Sequence, residues 1–328
     1  MARLSSTRLV STLKGTPLVL LVFAFNIVRT VPDEIPQPNK PVFFIHVSNS
    51  AGTAFCFMMK KALAVRVDRT EKNCNSGCMA PFEWQRFCPV GLCKRVECIP
   101  PWGGSRSCEA MSEYAARNRL EILGRETVLE EVHASTGFRI CSQFRYVMLF
   151  KEPLRRLQSN LNRLAHNPEV EVARSLRKNR YSSLRTSDLS GTPSLNNYVT
   201  RMILGTDSFF LPPGAINNTH EQAARSMLSK FELVIPVEKL STDYAQFRLA
   251  ALFGMQSKEK VLTKIRILLS QRTNHKPQKK KRLSLKAFAL LQRMNEIDIR
   301  LYNETVAYFN YLQVNRFTEH KAGHAYQN

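Results

Sequence analysis

The sequence predicts an α/β fold with a central, mostly parallel sheet covered on both faces. Two observations carry that expectation. Short apolar runs of strand length, Val42–Ile45, Phe144–Phe150 and Glu232–Leu240, alternate with longer helix-forming stretches. The chain has 328 residues, 44% of them hydrophobic, enough for one large α/β domain with a sizeable core. A third observation marks an elaboration of that fold. Of the eight cysteines, Cys74, Cys78, Cys88, Cys93, Cys98 and Cys108 cluster in a loop-rich, Gly- and Pro-containing stretch. An insertion over about 70–110, stapled by disulfides in an oxidising compartment, is expected there. The spacings lack a CxxC pair and no histidine lies between Cys74 and Cys108, so zinc is not expected and no metal is assigned. Cys56 and Cys141 stand apart and read as core thiols or as a long-range pair.

Residues 1–16 form a short basic tail with Arg3, Arg8 and Lys14. Residues 17–30 follow as an apolar segment, shorter than a full membrane helix of roughly 20 residues. It reads as a signal anchor or a cleaved signal peptide. An anchor would leave the tail cytosolic and the remainder luminal; the alternative is a secreted protein. The Pro-rich residues 31–41 are a stem, residues 42–315 the main domain and residues 316–328 a C-terminal tail.

Val42–Ile45 is a buried strand, and "FCFMMKKAL" after it opens a helix. Between them lie the small and hydroxyl residues Ser48, Asn49, Ser50, Ala51, Gly52, Thr53 and Ala54. Strand, small-residue loop and helix is the arrangement that wraps backbone N–H groups around a phosphate. His46, at the end of a buried strand, reads as structural. Glu113–Glu126 is helical in composition. The strand Phe144–Phe150 leads into a helix over Glu152–Ala165, with Pro153 tolerated in its first turn. Ser194–Gly205 reads as a helix stopped by its glycine. "THEQAARSMLSKF" is another helix; the third strand precedes "STDYAQFRLAALFG", capped by Ser241 or Thr242 and ended by Gly254. The last helix opens at Asn295 with Asp298 in capping-box spacing, and Ile297, Leu301, Tyr308 and Leu312 share one face. The sequon at Asn217 lies in the turn-rich "LPPGAINNTH"; that at Asn303 falls in the expected last helix.

Taken in order, these segments resemble the carbohydrate sulfotransferases. "FFIHVSNSAGTAF" resembles the family's "hHIPKTGGT" loop, sharing His46, Gly52 and Thr53, with Asn49 in the lysine position and Ala51 in a glycine position. "YVMLFKEPLRRLQSNL" resembles "hhLRDPhxRhxSxh", with Pro153, Arg156 and Ser159 matching, Lys151 for the arginine and Glu152 for the aspartate. "NNYVTRMILG" resembles "DNYxTRxLxG" and includes Arg201; "VIPVEKL" and "NEIDIRLY" resemble "VGVTERL" and "NxLDxxLY". The resemblance is nearest to the Golgi membrane enzymes that sulfate uronic acids, the uronyl and heparan sulfate 2-O-sulfotransferase branch.

That resemblance implies a P-loop-like, three-layer fold and in-line sulfuryl transfer from PAPS (3′-phosphoadenosine 5′-phosphosulfate) to a glycan hydroxyl. It implies that Ser48–Ala54 cradle the phosphosulfate and that Lys151, Ser159 and Arg201 contribute to donor binding. A base in that branch is a histidine upstream of the second strand, which points to His133, with Glu131 and Glu130 as rivals because other branches use glutamate. Asn49 can donate hydrogen bonds but brings no charge, so the loop reads as a cradle that kept its amides and lost its cation. The net charge of +22, from 48 Lys and Arg against 26 Asp and Glu, fits an anionic partner such as an acidic polysaccharide or glycan acceptor. A non-catalytic polyanion-binding relative is the alternative. A P-loop NTPase is disfavoured because GxxxxGK[ST] is absent. Nucleic-acid binding is disfavoured by the secretory N-terminus and the cysteine cluster.

Overall fold

The computed structural model describes residues 40–67, 74, 108–125, 129, 140–164, 193–255, 258–273 and 285–325. The expected N-terminal anchor, most of the stem and of the cysteine insertion, and His133, Glu131 and Glu130 lie outside them. Four strands, β1 (Val42–Ile45), β2 (Ile122–Arg125), β3 (Arg145–Phe150) and β4 (Leu233–Pro236), form an all-parallel sheet in the order β2-β1-β3-β4. Ten α-helices accompany them among the described residues: α1 (Gly52–Ala62), α2 (Cys108–Arg117), α3 (Pro153–Leu164), α4 (Tyr198–Leu204), α5 (Thr206–Phe209), α6 (Asn218–Leu228), α7 (Asp243–Ala251), α8 (Glu259–Thr273), α9 (Leu285–Met294) and α10 (Glu296–Ala325).

The strand side chains alternate between two cores. Val42, Phe44, Val147, Leu149, Leu233 and Ile235 point to one, shared with α1, α7, α8 and the later part of α10. Phe43, Ile45, Tyr146, Met148 and Phe150 point to the other, shared with α2, α4, α6 and the start of α10. Both faces are thus dry, which is why the strands read as unbroken apolar runs. The helix α10 serves both cores in succession. Ile297 and Leu301 lie in the second, Phe309 and Leu312 in the first. The expected stripe is real, yet it passes over the edge strand β4 from one face of the sheet to the other and so covers that edge.

The structure corrects several expectations. The helix expected over Glu113–Glu126 is α2, ending at Arg117, and the strand β2. Arg119 adopts a left-handed backbone (φ 52°), and Leu120 N donates back to Ala115 O, ending the helix. Ile122 and Leu123 then enter opposite cores, so no periodicity announces the strand. A Cβ at Gly124 would sit 2.3 Å from the carbonyl oxygen of Cys74, so this strand position requires glycine. Helix α4 starts at Tyr198, not Ser194, because Asn197 is left-handed (φ 42°). Helix α1 begins at Gly52, three residues earlier than expected, and α10 continues past residue 315 to Ala325.

Asn295 and Asp298 do not form a capping box within their own helix. The Asp298 carboxylate accepts from Val199 N, Thr200 N and Thr200 Oγ1, and Asn295 Oδ1 accepts from Asn197 N. In return Asn197 Oδ1 accepts from Asp298 N. The two helix starts therefore cap each other across about a hundred residues of chain, satisfying N–H groups that their own sequences leave open. The disulfides also follow space rather than sequence. Cys56 pairs with Cys74, and Cys108 with Cys141. Each end of the cysteine-rich insertion is tied to the main fold by one of the two outlying cysteines.

Candidate functional site

In a parallel sheet the groups that follow the carboxyl ends of adjacent strands share one rim. Here that rim gathers the loop after β1 and the Lys151–Glu152 junction after β3. The loop opens with His46, buried and stacked on Phe44 with ring centroids 5.7 Å apart. A turn follows, closed by Ser50 N donating to Val47 O at 3.1 Å. Asn49 sits in it at φ 61°, a left-handed conformation that asparagine tolerates. Ala51 is also left-handed, at φ 62°, and is the N-cap of α1 without a capping side chain. Gly52 starts the helix against the imidazole: a Cβ there would fall 1.9 Å from His46 Nε2. The glycine is dictated by that close approach, and His46 acts as the wedge that shapes the loop.

Ser48, Ser50 and Gly52 are buried, Asn49, Ala51 and Ala54 half-buried, and Thr53 exposed. Ser50 Oγ is enclosed and has no hydrogen-bond partner among the described residues. A buried hydroxyl without a partner is costly unless something else satisfies it. Here it lies in a loop that leads directly into a helix N-terminus.

The end of β3 supplies the cation. Lys151 Nζ donates to the backbone oxygen of Asn49 at 3.2 Å and to Ser159 Oγ at 2.9 Å. Ser159 Oγ in turn donates to Arg155 O at 3.0 Å. The strand-end cation, the hydroxyl two turns into α3 and the loop thus meet at one point. Glu152 is consumed as the cap of α3: its carboxylate accepts from Leu154 N and Arg155 N. The motif residue Arg156 is also buried. Its Nη2 donates to Ser194 O at 2.6 Å and its guanidinium lies 4.5 Å from the ring centroid of Tyr198.

Asn160 was not singled out by the sequence, and it ties the loop down. Its Oδ1 accepts from Asn49 Nδ2 at 3.2 Å and its Nδ2 donates to Ser194 Oγ at 3.1 Å. A signal for it existed: Arg156 and Asn160 are polar residues at i and i+4 of an otherwise amphipathic helix, both turned inward. Arg201 is buried. Its guanidinium donates to the carbonyl oxygens of Asn196, Ser208, Phe209, Leu211 and Pro212 and to Asn196 Oδ1. Burial lowers its pKa to about 10, with Asp298 opposing. Those contacts staple the end of α4 to the following turn. Among the described residues no group of three His, Cys, Asp or Glu side chains is placed to hold a metal ion, and no helix is long and apolar enough to cross a membrane.

No family model matches the chain, and no curated protein matches it.

Proposed function

We propose that the chain is a PAPS-dependent carbohydrate sulfotransferase whose luminal domain modifies an acidic polysaccharide or glycan. One observation carries the reading: Lys151 Nζ reaches both Ser159 Oγ at 2.9 Å and the Asn49 carbonyl at 3.2 Å. An ammonium between a phosphate-type loop and a helix hydroxyl suits an anion with two charged groups close together. Support also comes from Ser50, whose enclosed hydroxyl lacks a partner among the described residues, and from Gly52, which lets the chain turn against His46 into the helix N-terminus.

In this reading the loop amides and Ser50 hold the 5′-phosphosulfate, and Lys151 with Ser159 holds the 3′-phosphate. The acceptor hydroxyl forms a bond to sulfur while the bond from sulfur to the 5′-phosphate oxygen breaks. The hydroxyl proton passes to a base in the segment holding His133, Glu131 and Glu130, and adenosine 3′,5′-bisphosphate leaves. Asn49 is held by Asn160, so the loop acts on the phosphosulfate through its amides and Ser50, with Lys151 beside it at the Asn49 carbonyl.

A second reading follows from Asn49 itself. Its amide is engaged by Asn160 and adds no charge at the sulfate. Loss of one transition-state stabiliser costs about 10²–10³ in rate, and the chain would then be a polyanion-binding relative without turnover. Calorimetric titration with adenosine 3′,5′-bisphosphate and with AMP tests the donor site; tighter binding of the bisphosphate is expected, and equal affinities would reject it. Transfer from radiolabelled PAPS to polysaccharide acceptors then separates the enzyme from the silent relative.

A further inference from the structure

Two sequons lie on the described surface, Asn217-Asn218-Thr219 before α6 and Asn303-Glu304-Thr305 within α10. We propose that Asn217, and not Asn303, is a site of N-glycosylation. The reaction joins the carboxamide nitrogen Nδ2 to C1 of a sugar delivered as a lipid-linked oligosaccharide pyrophosphate. The bond from C1 to the pyrophosphate oxygen breaks, one Nδ2 proton is lost, and the lipid pyrophosphate departs.

Geometry separates the two candidates. Asn217 is extended (φ −132°, ψ −172°), and its Oδ1 accepts from Thr219 N at 3.1 Å and His220 N at 3.3 Å. That turn folds the asparagine side chain back toward the threonine, the two residues that must be read together. Asn217, Asn218 and Thr219 are all exposed, and they border an open polar hollow with Arg293 and Arg300. The preceding Pro212-Pro213-Gly214 turn is open as well: a Cβ on Gly214 would meet nothing within 4 Å. A glycan on Nδ2 therefore displaces no packed neighbour. It also spares the cap, because the cap uses Oδ1 and a substituted amide keeps that acceptor.

Asn303 is exposed as well, but its sequon is not folded in this way. It lies inside a long helix, where residues i and i+2 do not face each other. Thr305 Oγ1 is turned back to donate to Leu301 O at 2.7 Å, and Glu304 between them is held by Arg225.

The site depends on the expected luminal compartment and not on the donor-site reading, so donor titrations succeed or fail independently of it. The full chain would be expressed in a eukaryotic host with a secretory pathway, digested with an N-glycosidase and analysed by glycopeptide mass spectrometry. One glycosidase-sensitive mobility step is expected, with the modified peptide containing Asn217. Asn217→Asp keeps the cap oxygen, and Thr219→Ala keeps the backbone N–H that binds it. Both should abolish the step and retain the Tm of the deglycosylated parent, whereas Asn303→Gln should retain the step. Absence of any sensitive step in the parent, through failed translocation or an unmodified Asn217, overturns the proposal. So does a step that survives Asn217→Asp and Thr219→Ala.

Discussion

Lys151 is where the donor reading is most exposed to test, because one ammonium serves both the loop and Ser159. A hydrogen bond to a charged group contributes roughly 1.5–3 kcal/mol. Lys151→Ala is therefore expected to weaken adenosine 3′,5′-bisphosphate binding about 10- to 100-fold, and Ser159→Ala less, both read by calorimetry. AMP affinity should change little for Ser159→Ala. Asn49→Lys works in the opposite direction on two measurements. It restores a cation, so bisphosphate affinity should rise by about tenfold or more and depend more steeply on salt. It also breaks the bond to Asn160 and puts a lysine at φ 61°, so the Tm should fall. Ala51 shows the same strain, at φ 62°. A non-glycine residue in the left-handed region costs about 1–2 kcal/mol, and glycine gives back about 0.5–1 kcal/mol of that through unfolded-state entropy. Ala51→Gly should stabilise the fold by up to about 1 kcal/mol in denaturant titration. Identity and order of these residues were readable in the sequence; the left-handed backbone of Asn49 and Ala51 was not, because it comes from the turn around His46.

Among the elements, α6 and α10 are joined by an ionic network that reaches into the core. Glu221 is buried and receives hydrogen bonds from both Arg225 and Arg300, while Arg225 also bonds Glu304 and Arg300 also bonds Glu296. Burial works to raise the Glu221 pKa, but the hydrogen bond and charge of Arg300, and those of Arg225, outweigh it and hold it below the ordinary value of 4.5. A depressed folded-state pKa means that the stabilisation is present above the unfolded-state value and is lost as pH falls through the folded one. Glu221→Gln should thus lower the Tm at neutral pH and flatten the loss of stability below about pH 5, measured by thermal melts across pH. The strands β1, β3 and β4 were legible because a strand buried on both faces is a short apolar run. The strand β2 was not, since "LEILG" suits a helix equally well until a carbonyl packs on Gly124. The asparagine and aspartate at the head of α10 read as a capping box for that helix, but their side chains cap α4 instead, which no local spacing reveals.

At the scale of the whole molecule, two disulfides among the described residues fasten the ends of the cysteine-rich insertion to the sheet-bearing domain. Cys56–Cys74 closes a loop of 18 residues and Cys108–Cys141 one of 33. Chain-entropy arguments value such closures at about 3–4 kcal/mol each. The double variant Cys56→Ser, Cys74→Ser should lose about that much stability in denaturant titration, and in the parent these four cysteines should resist alkylation under denaturing, non-reducing conditions. Free labelling of all four in protein from a secretory host would contradict the pairing. The sequence by itself determined the α/β class, the dry parallel sheet, the basic charge of +22 and the segments that flank the candidate site. Those properties follow from composition and local periodicity, which act residue by residue along the chain. The tertiary structure alone decided that Lys151 answers both Asn49 and Ser159, that Asn160 fastens the loop, that Arg201 is spent on carbonyls and that Cys56 finds Cys74. Each of these joins groups brought together by the packing of strands and helices, and the energy of a hydrogen bond or a disulfide depends on distance in space, which spacing in sequence does not encode.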